Sequence, residues 1–496
     1  LLDFEAYRAN PWRIYAAIFA FLTLVYLPVL TAQYAFLDSY EMLASGIQGQ
    51  LHNILKMMVQ GGRPLYAVYA GEAYGHATGI GDLSYMRAFG VAGIGALACL
   101  VYCALGETTL PHAVAIAGAL LFCLTPSFQV YGAWDACSPF PWAALLAGLA
   151  FRLSDRGGVA RWLGAAVLLT CSITIYQPAA MVFWDFAAIA WLLRAELPAF
   201  NRVVAAGAVM ATALLYDFIA IKRAGRHGHA LARATLTHDL HGKVIWFFQE
   251  PLFNALNTFA LNPTVNVFST AFNLHAAWAV YLPHANADDA VVLTMILLIG
   301  AWLYFGRNVM VRLLLALCLI PASYVPNLLV AENWASYRTI DALAGLFVVF
   351  AVIAALGWGR ALRLRQAVPI LCAGLVASAA WCASSNVTNE FAVPQSTELT
   401  MVQSALLHTN FPPGARPCFN MPNWTEAIAP VGRYDEFGAL STSQGWVPSA
   451  MAYLILHGRW SPNAALFTVA NNVPTSVTPG CTVVDLRAVF SQGTPQ

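Results

Sequence analysis

The sequence predicts an all-α polytopic membrane protein of about eleven transmembrane helices, followed by a small C-terminal α/β extracytoplasmic domain. Three observations lead there. Hydrophobic residues make up 59% of the 496 and charged residues only 10%, which leaves too little polar surface for a water-soluble protein of this size. Apolar stretches of about 17–25 residues, long enough to cross a bilayer as a helix, recur along most of the chain. Past residue 386 the composition shifts to Pro, Asn, Ser and Thr with short apolar runs such as 481–486, which suits a mixed α/β domain of ordinary size.

The expected spans are approximately 14–35, 85–105, 111–130, 139–152, 162–176, 178–193, 203–221, 288–305, 310–330, 339–356 and 367–385. The first follows Arg8 and Arg13 and lacks a small-residue cleavage site, so it is expected to remain as a signal anchor. Lys and Arg near span ends favour the cytoplasm. Arg152, Arg156 and Arg161, then Arg194 and Arg202, Arg307 and Arg312, and Arg360, Arg363 and Arg365 all fall on the same side as the N-terminus. The expected arrangement is therefore a multi-pass membrane protein with a cytoplasmic N-terminus. Residues 1–385 are expected to form the membrane domain with external loops 36–84 and 222–287, and residues 386–496 an extracytoplasmic domain.

Composition also removes some functions. A net charge of +1 shows no basic surface for a phosphate backbone, so nucleic acid is not an expected partner. The ten cysteines show no paired metal spacing. Cys418 and Cys481 stand apart in the polar C-terminal region, where an oxidising compartment would allow a disulfide between them. The histidines of the long connection (His227, His229, His238 and His241) do not form a compact ligand set, and no metal site is assigned.

The charged groups that remain gather on the face away from the cytoplasm. Asp38 and Glu41 leave the first span three residues apart, a spacing that places both on one face of a helical turn. The same residues also suit a solvated helix start with Asp38 or Ser39 as N-cap. Residues 42–59 carry apolar positions at helical spacing and suit a helix along the interface, which Gly61-Gly62 breaks before Arg63-Pro64; 65–73 is apolar enough to dip into the bilayer. Lys222, Arg223 and Arg226 open the long connection, where such cations suit a phosphate or an anionic lipid surface. Residues 245–271 read as an amphipathic helix or re-entrant hairpin. Trp134-Asp135 and Glu332 beside Trp334 combine an aromatic face with a carboxylate, a pairing that suits a sugar and equally an interfacial belt. Asp185 and Asp217 lie within apolar spans, where a carboxylate needs a partner; Asp217 is the nearer to the external end.

Three short motifs carry a family resemblance: the acidic pair after the first span (Asp38, Glu41), Gly62-Arg63-Pro64-Leu65 closing the first loop, and Ile175-Tyr176-Gln177 ending the fifth span. In that order and on one membrane side, they resemble the GtrII-type bacterial glucosyltransferases that modify O-antigen, within the GT-C class of membrane glycosyltransferases. Tyr337-Arg338 resembles an Arg near the corresponding place in that family. The likeness covers roughly residues 30–345.

The resemblance implies a GT-C-like helix arrangement in the bacterial inner membrane, a periplasmic C-terminal domain, and transfer of a sugar, glucose or a related hexose, from a polyprenyl-phosphate carrier. The implied acceptor is a surface glycan such as O-antigen in lipopolysaccharide, on the periplasmic face. It makes Asp38 the first candidate for catalytic base. The sequence departs from the adjacent acidic pair common in the family, since Ser39 follows Asp38 and the next carboxylate is Glu41. The chemistry fits the residues beside the name. A hydroxyl attacking an anomeric carbon needs a carboxylate to take its proton, and a departing lipid phosphate needs cations. Asp38 or Glu41 meets the first need; Arg63, Arg338, Lys222, Arg223 and Arg226 meet the second. Tyr40, Trp134, Asp135, Tyr176, Gln177 and Glu332 are the expected substrate contacts. Inverting single displacement requires no cofactor, although the two carboxylates also suit Mg²⁺ or Mn²⁺. The rival function is a transporter or flippase for a lipid-linked sugar; the sequence shows no internal repeat of the kind many transporters carry.

Overall fold

The computed structural model describes residues 11–225, 235–256, 261, 287–364, 366–412, 416–422, 435–456 and 481–492. Among the described residues, five helical stretches are long and apolar enough to cross a membrane: Ile80–Gly106, Asp135–Asp155, Phe200–Ala224, Asp341–Ala361 and Ala367–His408. A sixth is reached if His112–Cys123 and Pro126–Ala133, bent by 59°, form one broken span. Shorter apolar helices (Pro11–Val25, Val159–Ile175, Gln177–Leu193, Val292–Phe305 and Val309–Ala322) overlap other expected spans without reaching membrane-crossing length themselves. The chain is thus a predominantly helical protein with several helices able to span a membrane.

In chain order the helices are α1 (Pro11–Val25), α2 (Leu27–Thr31), α3 (Asp38–Ile47), α4 (His52–Gln60), α5 (Pro64–His76) and α6 (Leu83–Gly106). There follow α7 (His112–Cys123), α8 (Pro126–Ala133), α9 (Phe140–Asp155), α10 (Val159–Ile175), α11 (Gln177–Ala180), α12 (Val182–Leu193) and α13 (Phe200–Gly225). After α14 (Leu240–Gln249) and α15 (Pro251–Leu256) come α16 (Ala287–Phe305), α17 (Val309–Ala322), α18 (Val325–Leu329), α19 (Asp341–Ala361), α20 (Ala367–Val387) and α21 (Val393–His408).

Proline sets several of the breaks. Pro126 excludes the residue before it from helical geometry, so Thr125 is extended and the chain turns between α7 and α8. Pro28 opens α2 and Pro251 opens α15, which splits the stretch expected as one amphipathic segment from 245; its continuation from 257 to 271 lies outside the described residues except for Leu261. The first expected span, 14–35, is helical only to Thr31. Residues 33–36 are irregular, and their neighbours' carbonyls are taken by Arg87 of α6, which donates to Val29 O (2.7 Å), Ala32 O (2.7 Å) and Tyr34 O (3.0 Å). The Arg87 guanidinium is fully buried, lies 4.1 Å from the Tyr34 ring centre and pairs with Asp135 at 4.0 Å. Removing it strands Asp135 and three carbonyls at once. Arg87→Met is expected to cost about 3–5 kcal/mol, read as a lowered Tm of the detergent-solubilised protein; a loss under about 1 kcal/mol would contradict this role.

The far end of the chain is built onto this frame rather than hung from it. The expected domain boundary at 386 falls inside one helical stretch, because α20 passes through a π-helical turn at Thr388–Ala392 directly into α21. Strand β1 (Arg416–Asn420) then pairs in parallel with β2 (Cys481–Asp485), Arg416 opposite Cys481 and Asn420 opposite Asp485. Helix α22 (Val447–Ile455) lies between them in sequence and packs on α3, while α23 (Leu486–Gln492) packs on α21. Cys418 is disulfide-bonded, whereas the Cys481 side chain lies outside the described residues. Buried Glu398 of α21 accepts from Ser441 N–H (2.9 Å), Thr442 N–H (2.7 Å) and the Thr442 hydroxyl (2.6 Å). That carboxylate fixes the 435–443 segment against the membrane-region helices.

Candidate functional site

The acidic pair is presented by an unusual piece of backbone. Phe36 is buried edge-on to Trp134 (ring centres 4.8 Å apart) and against Phe391 (4.6 Å). Leu37 then takes φ 44°, where a side chain with a Cβ is strained by roughly 1–3 kcal/mol, and donates its N–H to Ser441 Oγ at 3.1 Å. Asp38 is the first residue of α3. Ser39 and Tyr40 face inward and are fully buried, Ser39 Oγ accepting from Trp134 Nε1 at 3.1 Å. Asp38 and Glu41 point the other way and are half-buried. Burial raises the Glu41 carboxyl above the usual carboxylate range, and the Asp38 charge adds to that rise.

Arg338 is delivered to the same place by the 3-10 turn Tyr337–Thr339, just before α19. Its guanidinium lies 4.7 Å from the ring centre of Trp134 and 5.6 Å from that of Trp334. Its carbonyl accepts from the Tyr131 hydroxyl at 2.7 Å, and its Nε stands 3.5 Å from Glu436 Oε1. Burial alone would weaken this cation, but the groups around it, Tyr176, Glu436, Cys137 and Asp38, more than offset that and raise its pKa. Asp38 and Arg338 are thus electrostatic neighbours, although one opens α3 and the other precedes α19.

Arg63 also comes close to Tyr176. It precedes Pro64 at the start of α5, donates through Nε to Gln177 Oε1 (3.2 Å) and lies 5.1 Å from the Tyr176 ring centre. Tyr176 is stacked on Phe140 at 3.8 Å, and its hydroxyl is raised by burial while Arg338 and Arg63 both pull it back. Gln177 also donates to Gly61 O (3.1 Å) and to Asp217 Oδ2 (3.4 Å) of α13. Gly62 closes this cluster at φ 81°; a Cβ there would stand 2.6 Å from Asp217 Oδ1 and 2.8 Å from Gln177 Nε2. Gly62→Ala is therefore expected to shift Arg63 and lower whatever reaction this site performs, with a stability loss of about 1–3 kcal/mol. Wild-type activity and Tm in that variant would detach Arg63 from the site.

The other expected residues divide into those near the cluster and those behind it. Lys222 and Arg223 are exposed in the last turn of α13, beside Ile221, which packs close to Gly62; Arg226 lies outside the described residues. Glu332 sits apart, its carbonyl accepting from Lys243 Nζ at 2.7 Å. Lys243 also donates to Asn327 O (3.2 Å), and burial lowers its pKa to about 8. Tyr40 and Asp135 are fully buried, with Asp135 taken by Arg87 and the Tyr74 hydroxyl, so both form packing behind the site instead of its surface. Trp134 is equally buried but has one face against Arg338.

Glu436 and Asp435 are the groups the sequence reading missed. Asp435 has φ 61°, accepts from Tyr337 N–H at 2.8 Å, and is held well above the usual carboxylate range by burial and by the Glu436 charge. Their only signal is an acidic pair in a mostly neutral region. Among the described residues, no group of three or more His, Cys, Asp or Glu side chains is arranged to hold a metal ion. A groove of about 520 Å³ opens nearby between α2 and α21, lined by residues that include Pro28, Ala32, Ala392, Val393 and Met401. The chain matches no protein-family model, and no curated protein is significantly similar to it.

Proposed function

We propose that the protein is a membrane glycosyltransferase that moves a hexose from a polyprenyl-phosphate carrier to a hydroxyl of a cell-surface glycan, with inversion at the anomeric carbon. The observation that carries this reading is the convergence of a half-buried carboxylate, Asp38, with two arginines, Arg63 and Arg338, whose charges both act on Tyr176. In the proposed step the acceptor O–H gives its proton to Asp38 while its oxygen bonds to the anomeric carbon. The bond from that carbon to the phosphate oxygen breaks, and the lipid phosphate departs with the electron pair. Arg338 and Arg63 stabilise the charge it carries away.

The aromatic floor of Phe140, Tyr176 and Trp134 suits the apolar face of a sugar ring. The groove between α2 and α21, mostly apolar, gives an isoprenoid chain a place to lie close to Asp38 in sequence. On this reading the site faces the periplasm, the N-terminus is cytoplasmic and about eleven helices cross the inner membrane, in agreement with the arginine distribution.

The direct test reconstitutes the full chain in vesicles with a radiolabelled polyprenyl-phosphate hexose and candidate glycan acceptors. Label in the glycan supports transfer. Label that crosses the bilayer still attached to lipid, with none in glycan, would instead make the protein a flippase.

A further inference from the structure

The counter-anion already present at Arg338 has no role in the proposed chemistry. Glu436 is 5% exposed at its side chain and shares a hydrogen bond with the neighbouring Asp435 carboxyl, whose proton its charge helps to hold. Its sole ionic contact among the described residues is Arg338 Nε, 3.5 Å away, longer than the usual 2.7–2.9 Å of a charge-assisted hydrogen bond. A buried carboxylate normally collects several such bonds, whereas this one rests on the Asp435 carboxyl and on the guanidinium's charge.

The backbone around it is the opposite. Asp435 accepts from Tyr337 N–H, Gly438 N–H donates to Glu390 O at 2.6 Å, and Ser441 and Thr442 are pinned by Glu398. The main chain is tied at several points, whereas the Glu436 side chain is held by its neighbour Asp435 and by the Arg338 charge.

Charge counting gives this a consequence. Arg338 and Arg63 are the cations acting on Tyr176; Asp38 and Glu436 act on Arg338, Glu41 and Asp435 are held above the usual carboxylate range, and Asp217 stands beside Gln177. Two cations against at least as many carboxylates leave no surplus positive charge. A phosphodiester adds one more negative charge in a poorly solvated place, which is costly unless an anion withdraws. Asp38 is needed as base. We infer that Glu436 occupies the place of the donor phosphate on Arg338 and is displaced by it, acting as an internal substitute anion that sets the affinity of the site for lipid-linked phosphate. This rests on the glycosyl-transfer reading above.

The experiment measures binding, not turnover, of a short-chain prenyl phosphate and the matching prenyl alcohol to the full chain in nanodiscs. The wild type is expected to bind the phosphate and not the alcohol. Glu436→Gln and Glu436→Ala are expected to bind the phosphate about 10- to 100-fold tighter. Neutralising the exposed Glu72 of α5 (Glu72→Gln) should leave affinity unchanged, which separates a local effect from net charge. Infrared difference spectra of the wild type should show a carboxylate band shift on adding phosphate that the alcohol does not produce, a readout independent of how the variants fold.

Equal or weaker binding by folded Glu436 variants, or no carboxylate shift in the wild type, overturns the substitution and leaves the phosphate site standing. So does wild-type binding that requires Mg²⁺, since a cation would then supply the missing charge. If no form of the protein binds the prenyl phosphate, the glycosyl-transfer reading falls as well.

Discussion

Asp38→Asn is expected to lower sugar transfer by about 10²–10⁴-fold while the protein keeps its wild-type Tm and binds the lipid donor within a few-fold of normal. The amide has the same shape and half-buried position but cannot take the acceptor's proton. Little stability should be lost, because Asp38 belongs to the half-exposed face of α3, whereas Ser39 and Tyr40 make the buried contacts. Glu41→Gln is the comparison. Its carboxyl is raised by burial and by Asp38, so less of it is ionised at a given pH than of an ordinary glutamate. If Glu41→Gln abolishes transfer and Asp38→Asn does not, the base is Glu41. If neither changes turnover, the α3 carboxylates have no part in the reaction.

Arg338→Met should produce the largest combined effect. It removes a cation from the departing phosphate, worth about 10²–10³-fold in turnover by comparison with other charge-stabilising donors. It also leaves Glu436 buried without its partner, at a cost of about 3–5 kcal/mol. These two losses separate in the double variant Arg338→Met/Glu436→Gln, which should recover much of the stability and none of the transfer. Arg338→Lys keeps the charge but loses the planar group beside Trp134 and Trp334, so partial activity is expected. The measurements are Tm and single-turnover rate on the same preparations. Full turnover in a folded Arg338→Met protein would remove this arginine from the mechanism.

Legibility in the sequence followed the range of the interaction. Local patterns were readable: the Gly61-Gly62 break before Arg63-Pro64 does end α4 and start α5, since Gly62 needs φ 81° and Pro suits a first helical turn. Asp38 and Glu41 do share a helical turn. Span ends were less readable, because Pro28 and Arg87 together convert the last part of the first expected span into short helix and irregular chain. Asp135 looked like a sugar contact beside Trp134, but its partner Arg87 comes from another helix and no local pattern reveals that. The same holds for Glu436.

What the sequence by itself determined is the material and its local shape: apolar helices of membrane length, and an acid pair and Arg63 beside turns that local chemistry dictates. Helical period, proline geometry and charge bias act over a few residues, so they can be read along the chain. Only the tertiary structure decided that the Asp38 charge reaches Arg338, that two arginines act on Tyr176, and that Glu436 from the far end of the chain pairs with one of them. Those pairings depend on how buried helices stack and which charges must be neutralised away from water. That is a property of the packed whole, which no single stretch of residues encodes.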